Sequence, residues 1–219
     1  MRTVLGKEDY LEYYNRVLEK LEHEKDFVTG LDAATGDGDH WANMYAGFKK
    51  LTDSSEELKK EDLSGLMKRC GMLLMSGIGG SSGVLYGGAY ISASKVLADV
   101  SEIDLETYYK MLETMLQSIM SRGGAKPGHK TMIDALDPAA RTLRKLLDEK
   151  KPEQEILEEV KSAARQGAES TKTMQAVFGR AVYQADKGEG HLDPGAVTMA
   201  YQIEIMADMF IDKANKIQK

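Results

Sequence analysis

The residues of this chain best suited to chemistry fall in one stretch, Leu31 to Phe48, which reads LDAATGDGDHWANMYAGF. Asp32, Asp37 and Asp39 lie within eight residues, glycines precede the last two, and His40 and Asn43 follow at once. Two carboxylates about 4 Å apart repel by roughly 4 kcal/mol at an effective dielectric near 20, so convergent aspartates imply a cation between them. The competing reading is a solvated acidic turn, because Gly and Asp are also ordinary turn residues. Magnesium suits the cluster better than calcium, since it is commonly held by a few carboxylates with phosphate and water completing an octahedron. An EF-hand fails on spacing: counting from Asp32 or Asp37 puts Ala34 or Trp41 where oxygen ligands are needed.

Three other loops carry matching chemistry. Gly77-Ile-Gly79-Gly80-Ser81-Ser82-Gly83, the run Gly123-Gly124-Ala125-Lys126-Pro127-Gly128-His129-Lys130, and Lys187 to Gly195 all combine glycines with polar residues near helix starts. Exposed backbone N–H groups at the positive end of a helix dipole form a site for phosphate. With the aspartates, they suggest magnesium and phosphate oxygens. The second loop is a near miss to a P-loop, with His129 between Gly128 and Lys130, and it fails because Lys must follow the second glycine directly and a strand must precede the loop. His40, His129 and His191 fall in these loops, yet no HxxxH or HExxH spacing supports zinc, and they fit better as donors to phosphate or base. Arg180, after Gly179, is either a phosphate or nucleotide contact or a surface arginine. Met132 follows a glycine loop and could flank an adenine.

These loops need helices to hold them. Apolar residues recur at spacings of three and four almost throughout, strand signals are scarce, and the chain reads as all-α. Expected helices run from Lys7 to His23, Asp26 to Ala34, Trp41 to Leu51, Leu63 to the GGSSG break, Val84 to Val100, Asp104 to Arg122 and Thr131 to about Lys151. A further one starts at Pro152 and runs toward Thr173, a short one spans Gly179 to Asp186, and a last one carries Met199, Ile203, Met206 and Phe210. The stretch TDSSEELKKEDL reads as a surface connection with no core to bury. About eight main helices joined by short loops favour an antiparallel bundle or closed barrel; periodicity does not fix which loops share an end, and the similar chemistry of the four suggests that they gather at one.

Composition sets outer bounds. With 219 residues and 42% hydrophobic content, one domain spanning 1–219 is expected. A net charge of -6 with no basic block argues against a nucleic-acid partner. Cys70 is the only cysteine, which excludes an internal disulfide and fits a reducing compartment. The N-terminus is charged by residue 7, no apolar h-region appears, and no run reaches the length of a membrane span, so no membrane partner and a cytoplasmic location are expected.

The four motifs together resemble the nucleotide-binding L subunit of dihydroxyacetone kinases. The likeness spans nearly the whole chain, through LDAATGDGDHWANMYAGF, IGGSSGVLYGGAY, GGAKPGHKTMIDALDPA and the run from Gly179 to Ala196, which opens on Gly179-Arg180 and closes on KGEGHLDPGA. It implies an antiparallel barrel of eight helices with ADP or ATP in loops at one end. Asp32, Asp37 and Asp39 would hold two magnesium ions bridging the nucleotide phosphates. His40, Trp41, Ala42 and Asn43, with Ser81 and Ser82, would contact phosphates and nearby nucleotide, and Gly123, Met132, Arg180, Asp193, Pro194 and Gly195 would line the rest. The resemblance also implies a phosphotransferase subunit active only with a partner. A separate K subunit would hold dihydroxyacetone or a related short ketose, and a phosphotransferase-system M subunit would rephosphorylate bound ADP. An ATP-exchanging kinase subunit for another ketose and a non-catalytic, nucleotide-dependent regulator are the alternatives. Trp41 departs from the glycine usual in the family, placing an expected indole beside the phosphates or on the partner.

Overall fold

The computed structural model describes residues 2–217. Among them are ten α-helices: α1 Lys7–His23, α2 Lys25–Thr35, α3 His40–Asp53, α4 Ser55–Leu58, α5 Leu63–Gly77, α6 Gly80–Ser94, α7 Leu105–Gly123, α8 Ile133–Asp148, α9 Glu153–Ser170 and α10 Pro194–Ile217. Short 3-10 turns cover Lys95–Leu97, Thr171–Thr173 and Arg180–Tyr183. The all-α expectation holds: the sole extended pairing among the described residues is the bridge between Leu5 and Ile103, each N–H donating to the other's carbonyl at 2.8 Å.

Eight of the helices close a ring. In order around it, α1 packs on α3, α3 on α5, then α5, α6, α7, α8, α9 and α10 each on the next, and α10 returns to α1. Apolar faces at helical spacing drive this closure. α1 turns Tyr10, Tyr14, Val17 and Leu21 inward, α7 turns Tyr108, Leu112 and Ile119, and α10 turns Met199, Ile203, Met206 and Phe210. All of them belong to one continuous core. The tightest seam lies between α5 and α6, where a Cβ on Gly71 would stand 2.7 Å from the Gly87 carbonyl and a Cβ on Gly87 2.6 Å from the Gly71 carbonyl. Only glycine permits that approach.

Helix starts carry local signals. Asp62 accepts from the Gly65 N–H at 2.6 Å and Asp104 from the Thr107 N–H at 2.7 Å, side-chain caps for α5 and α7. α7 stops at Gly124, whose left-handed φ of 69° returns the N–H to the Met120 carbonyl. Pro152 caps α9 from just outside it rather than occupying its first turn.

Three further expectations are corrected. The GGSSG run is not a break of its own length, because Gly80 to Gly83 already form the first turn of α6 and the chain is non-helical only at Ile78 and Gly79. The span Gly179 to Asp186 is not an α-helix but a single 3-10 turn, Arg180–Tyr183. The stretch expected to bury nothing contains α4, and Leu58 in it is fully buried in the core. A leucine flanked on both sides by charged and hydroxyl residues gives no periodic signal, yet it belongs to the continuous core. Leu58→Ala should therefore cost about 2–5 kcal/mol of unfolding free energy. Lys60→Ala, two residues on at an exposed position, should change it by less than about 0.5 kcal/mol; urea midpoints of the two variants check this.

Candidate functional site

Alternating directions around the ring bring the starts of α3, α6, α8 and α10 to one end, together with the finish of α2. A cavity of about 290 Å³ opens between them. Its lining includes Asp32, Asp37, Asp39, His40, Asn43, Ser81, Ser82, Gly123, Met132, Arg180, Asp193, Pro194 and Gly195, so these sequence-derived candidates meet in one place. Four helix N-termini turn dipole ends of positive sign toward one volume.

The carboxylates converge. Asp32, Asp37 and Asp39 each place one oxygen within 4.8 Å of the others. Asp32 is 9% exposed and sits on the last turn of α2, where the helix dipole disfavours its charge. The start of α3 offsets this, because the His40 backbone N–H donates to Asp32 Oδ2 at 2.9 Å. Gly36 keeps the backbone clear beside it: a Cβ there would lie 2.5 Å from Asp32 Oδ1. An all-oxygen donor set of three carboxylates fits a hard divalent cation and gives zinc no imidazole or thiolate. Across the opening, the Arg180 guanidinium stands 2.7 Å from Asp37 Oδ2.

The rest of the cavity divides by polarity. Ser81 and Ser82 lie in the first turn of α6 beside Asn43, while Leu85, Ile119, Ala125, Met132 and Phe178 form an apolar part. His40 is buried, its Nε2 lies 3.0 Å from Thr198 Oγ1, and burial holds the imidazole below its ordinary pKa against the pull of Asp32 and Asp39. His129 packs on Phe178 with ring centroids 5.6 Å apart, and His191 is exposed and does not line the cavity.

Trp41 and Ala42 do not line the cavity. One residue along a helix turns a side chain by about 100°, so a buried His40 directs Trp41 toward α1. There the indole Nε1 donates to the Leu21 carbonyl at 2.7 Å, the ring stacks on Tyr45 at 5.0 Å, and Lys25 Nζ lies 4.9 Å from the ring centre. Leu21 belongs to the last turn of α1, whose carbonyls lack helical partners, so the indole caps a helix and stays clear of the cavity. Sequence reasoning also missed Thr198 and Lys130. Thr198 sits inside α10 with no loop signal, and Lys130 was visible only as part of the failed P-loop.

Asp193 starts α10, its Oδ2 accepting from the Ala196 N–H at 2.7 Å. Burial pushes its carboxyl up to about 7, against the Ala196 hydrogen bond and the Lys130 charge. A carboxyl whose folded pKa lies above its unfolded value binds its proton more tightly when native, so its contribution to stability falls as pH rises. The window runs from the ordinary 3.8 to about 7. Asp193→Asn keeps the cap and removes the titration. Without added cation, the stability of this variant relative to the parent should climb across that window, as read by urea midpoints at several pH values.

The family model for the DAK2 domain matches residues 34–208, a span that holds the cavity's lining apart from Asp32, which lies two residues before it. The ADP-binding subunit DhaL of the PEP-dependent dihydroxyacetone kinase of Escherichia coli is 34% identical over 93% of this chain and 97% of its own length. A Listeria innocua subunit described in the same terms is 36% identical over 90% of this chain and 93% of its own. In three dimensions the chain resembles the dihydroxyacetone kinase of C. freundii, solved in native form and in complex with AMP-PNP and Mg2+, with TM-scores of 0.70 and 0.69 at 29% identity. The likeness covers 90% of this chain but only about a third (34%) of that kinase. Among the described residues, no helix is long and apolar enough to cross a membrane. Since the DAK2 model covers most of the sequence and the DhaL subunits align along almost their full length, the chain belongs to the DAK2 domain family, which includes those subunits.

Proposed function

We propose that this protein is the nucleotide- and magnesium-binding subunit of a kinase for dihydroxyacetone or a related short ketose, with residues 1–219 acting as one domain. The observation that carries the reading is the convergence of three carboxylates on a cavity ringed by four helix N-termini. Negative side chains beside positive dipole ends make sense when a divalent cation and a polyphosphate occupy the same volume.

The division of the cavity orients the ligand. Leu85, Ile119, Met132 and Phe178 take the base, and the backbone N–H groups around Ser81, Ser82 and Gly195 take the phosphates. Asp32, Asp37 and Asp39 hold two magnesium ions, which when bound neutralise phosphate charge during transfer. Arg180, already beside Asp37, is placed to reach a terminal phosphate oxygen. Asp193, Pro194 and Gly195 set the register of the α10 start. His40, fixed by Thr198 and by its own N–H bond to Asp32, braces the metal side and does not move freely.

The relatives that match end to end are described as subunits, which supports a divided active site. The acceptor ketose is held by a K-type partner, whose docking brings the hydroxyl in line with the terminal phosphorus. That oxygen gives its proton to a base on the K-type partner and forms the new P–O bond as the bridging oxygen leaves with ADP, and an M-type phosphotransferase partner returns a phosphoryl group to ADP. The protein functions in the cytoplasm.

A ligand at about 100 times its dissociation constant stabilises the native state by roughly 2.7 kcal/mol. Magnesium with ADP should raise the unfolding temperature by several degrees, and Asp37→Ala should abolish the magnesium-dependent part while leaving the fold intact by circular dichroism. Equal responses from variant and parent would remove Asp37 from the metal site.

A further inference from the structure

Lys130, at the end of the second glycine loop, holds neither metal nor nucleotide in the proposed function. It is 2% exposed, its backbone takes a left-handed φ of 59°, and it lines the same cavity. The first two are costly: a buried ammonium costs several kcal/mol unless its protons are taken up, and a left-handed residue other than glycine costs about 1 kcal/mol or more. Two carbonyls take up its protons. Nζ donates to the Thr171 oxygen at 2.6 Å and to the His191 oxygen. Thr171 directly follows α9, so its carbonyl lies at the negative end of that helix, where a cation is favoured.

Between these two anchor points runs the segment 172–190. It contains no α-helix and turns Ala176, Phe178, Gly179, Arg180 and Ala181 toward the cavity. Its ends close on each other through Ala176 N–H to the Lys187 oxygen at 2.9 Å and Gly190 N–H to the Lys172 oxygen at 2.7 Å. It reaches the metal side twice, through Arg180 to Asp37 and through Gln184 Nε2 to the Ala34 carbonyl at 2.9 Å. The stem of Lys130 fills the space beneath it: a Cβ on Gly188 would lie 3.2 Å from Lys130 Cε, from the Ala181 side chain and from the Thr35 side chain. Few apolar contacts hold such a segment, so its order depends on these polar ties.

We propose that Lys130 is a positioning residue that pins both feet of segment 172–190, making the segment a fixed wall of the cavity and setting how fast nucleotide leaves. This rests on the reading of the cavity as a nucleotide site. With two of its three protons given to carbonyls, Nζ serves as a strut and not as the phosphate lysine of a P-loop.

Lys130→Met keeps the length of the stem and removes the charge and the donors. Two measurements on the full chain decide the matter: hydrogen exchange without ligand, and release of N-methylanthraniloyl-ADP with magnesium, chased by excess ADP. Protection should fall across 172–190 while amides of α5 and α6 stay within about twofold of the parent. The analogue should leave roughly tenfold faster or more. Unchanged exchange in 172–190 overturns the strut, and faster exchange there with an unchanged release rate overturns control of nucleotide exit. If Lys130→Met loses protection throughout, Lys130→Gln, which retains N–H donors on a shorter neutral stem, is judged by the same two criteria. A parent protein that does not bind the analogue overturns the nucleotide reading and the exit-rate half together, while exchange still decides the strut.

Discussion

Everything at the working end of this molecule answers to the mutual repulsion of three aspartates. Each pair of carboxylates at about 4 Å costs roughly 4 kcal/mol at an effective dielectric near 20, a sizeable fraction of the stability of an ordinary domain. The fold surrounds them with the opposite sign. Four helices begin at the cavity, a backbone N–H of α3 reaches Asp32, and a guanidinium stands beside Asp37. Residual negative charge in that setting is what the proposed cation and polyphosphate would complement.

That arrangement requires a frame that does not yield. Helices alternating in direction around a closed ring have no free edge helix, and the glycine contact between α5 and α6 brings two backbones together where any side chain would force them apart. Inside the ring, tyrosines supply bulk with polar tips. Tyr90 donates to Gln202 at 3.2 Å, and Gln202 in turn donates to the Thr198 carbonyl at 3.1 Å, one residue's breadth from the hydroxyl that holds His40. Core packing and site geometry thus share α10 as a common member. Cys70, buried in the same core with its thiol pushed up to about 12, is a packing residue without a nucleophile's environment.

Much of this was legible because long amphipathic helices and glycine loops each leave a strong local pattern. The bounds of α1 coincide with those read from periodicity, and the four loop motifs contribute most of the residues that line the cavity. What escaped had no local pattern to read. Leu58 is a lone apolar residue in a charged run, and its burial depends on which helix end it faces. Trp41 sits in the middle of the most informative motif, yet a side chain's direction on a helix is fixed by angle and not by neighbourhood in sequence. Its partner, the Leu21 carbonyl, is a backbone atom that no residue type announces. Lys130 and Thr198 matter through carbonyls and an imidazole brought from far along the chain, which periodicity cannot reveal.

The closure of the ring through α10 also governs when the site can come into being. The 24 residues Pro194–Ile217 supply the fourth helix start at the cavity, the partner of His40 and the seam against α1. A nascent chain emerging from the ribosome can assemble α1 through α9, but it carries an open groove with exposed core residues until this helix follows. The seam between α1 and α10 joins the two most distant helices of the chain, the kind of remote contact that slows folding. The cavity is therefore complete only when α10 has closed against α1 and α9.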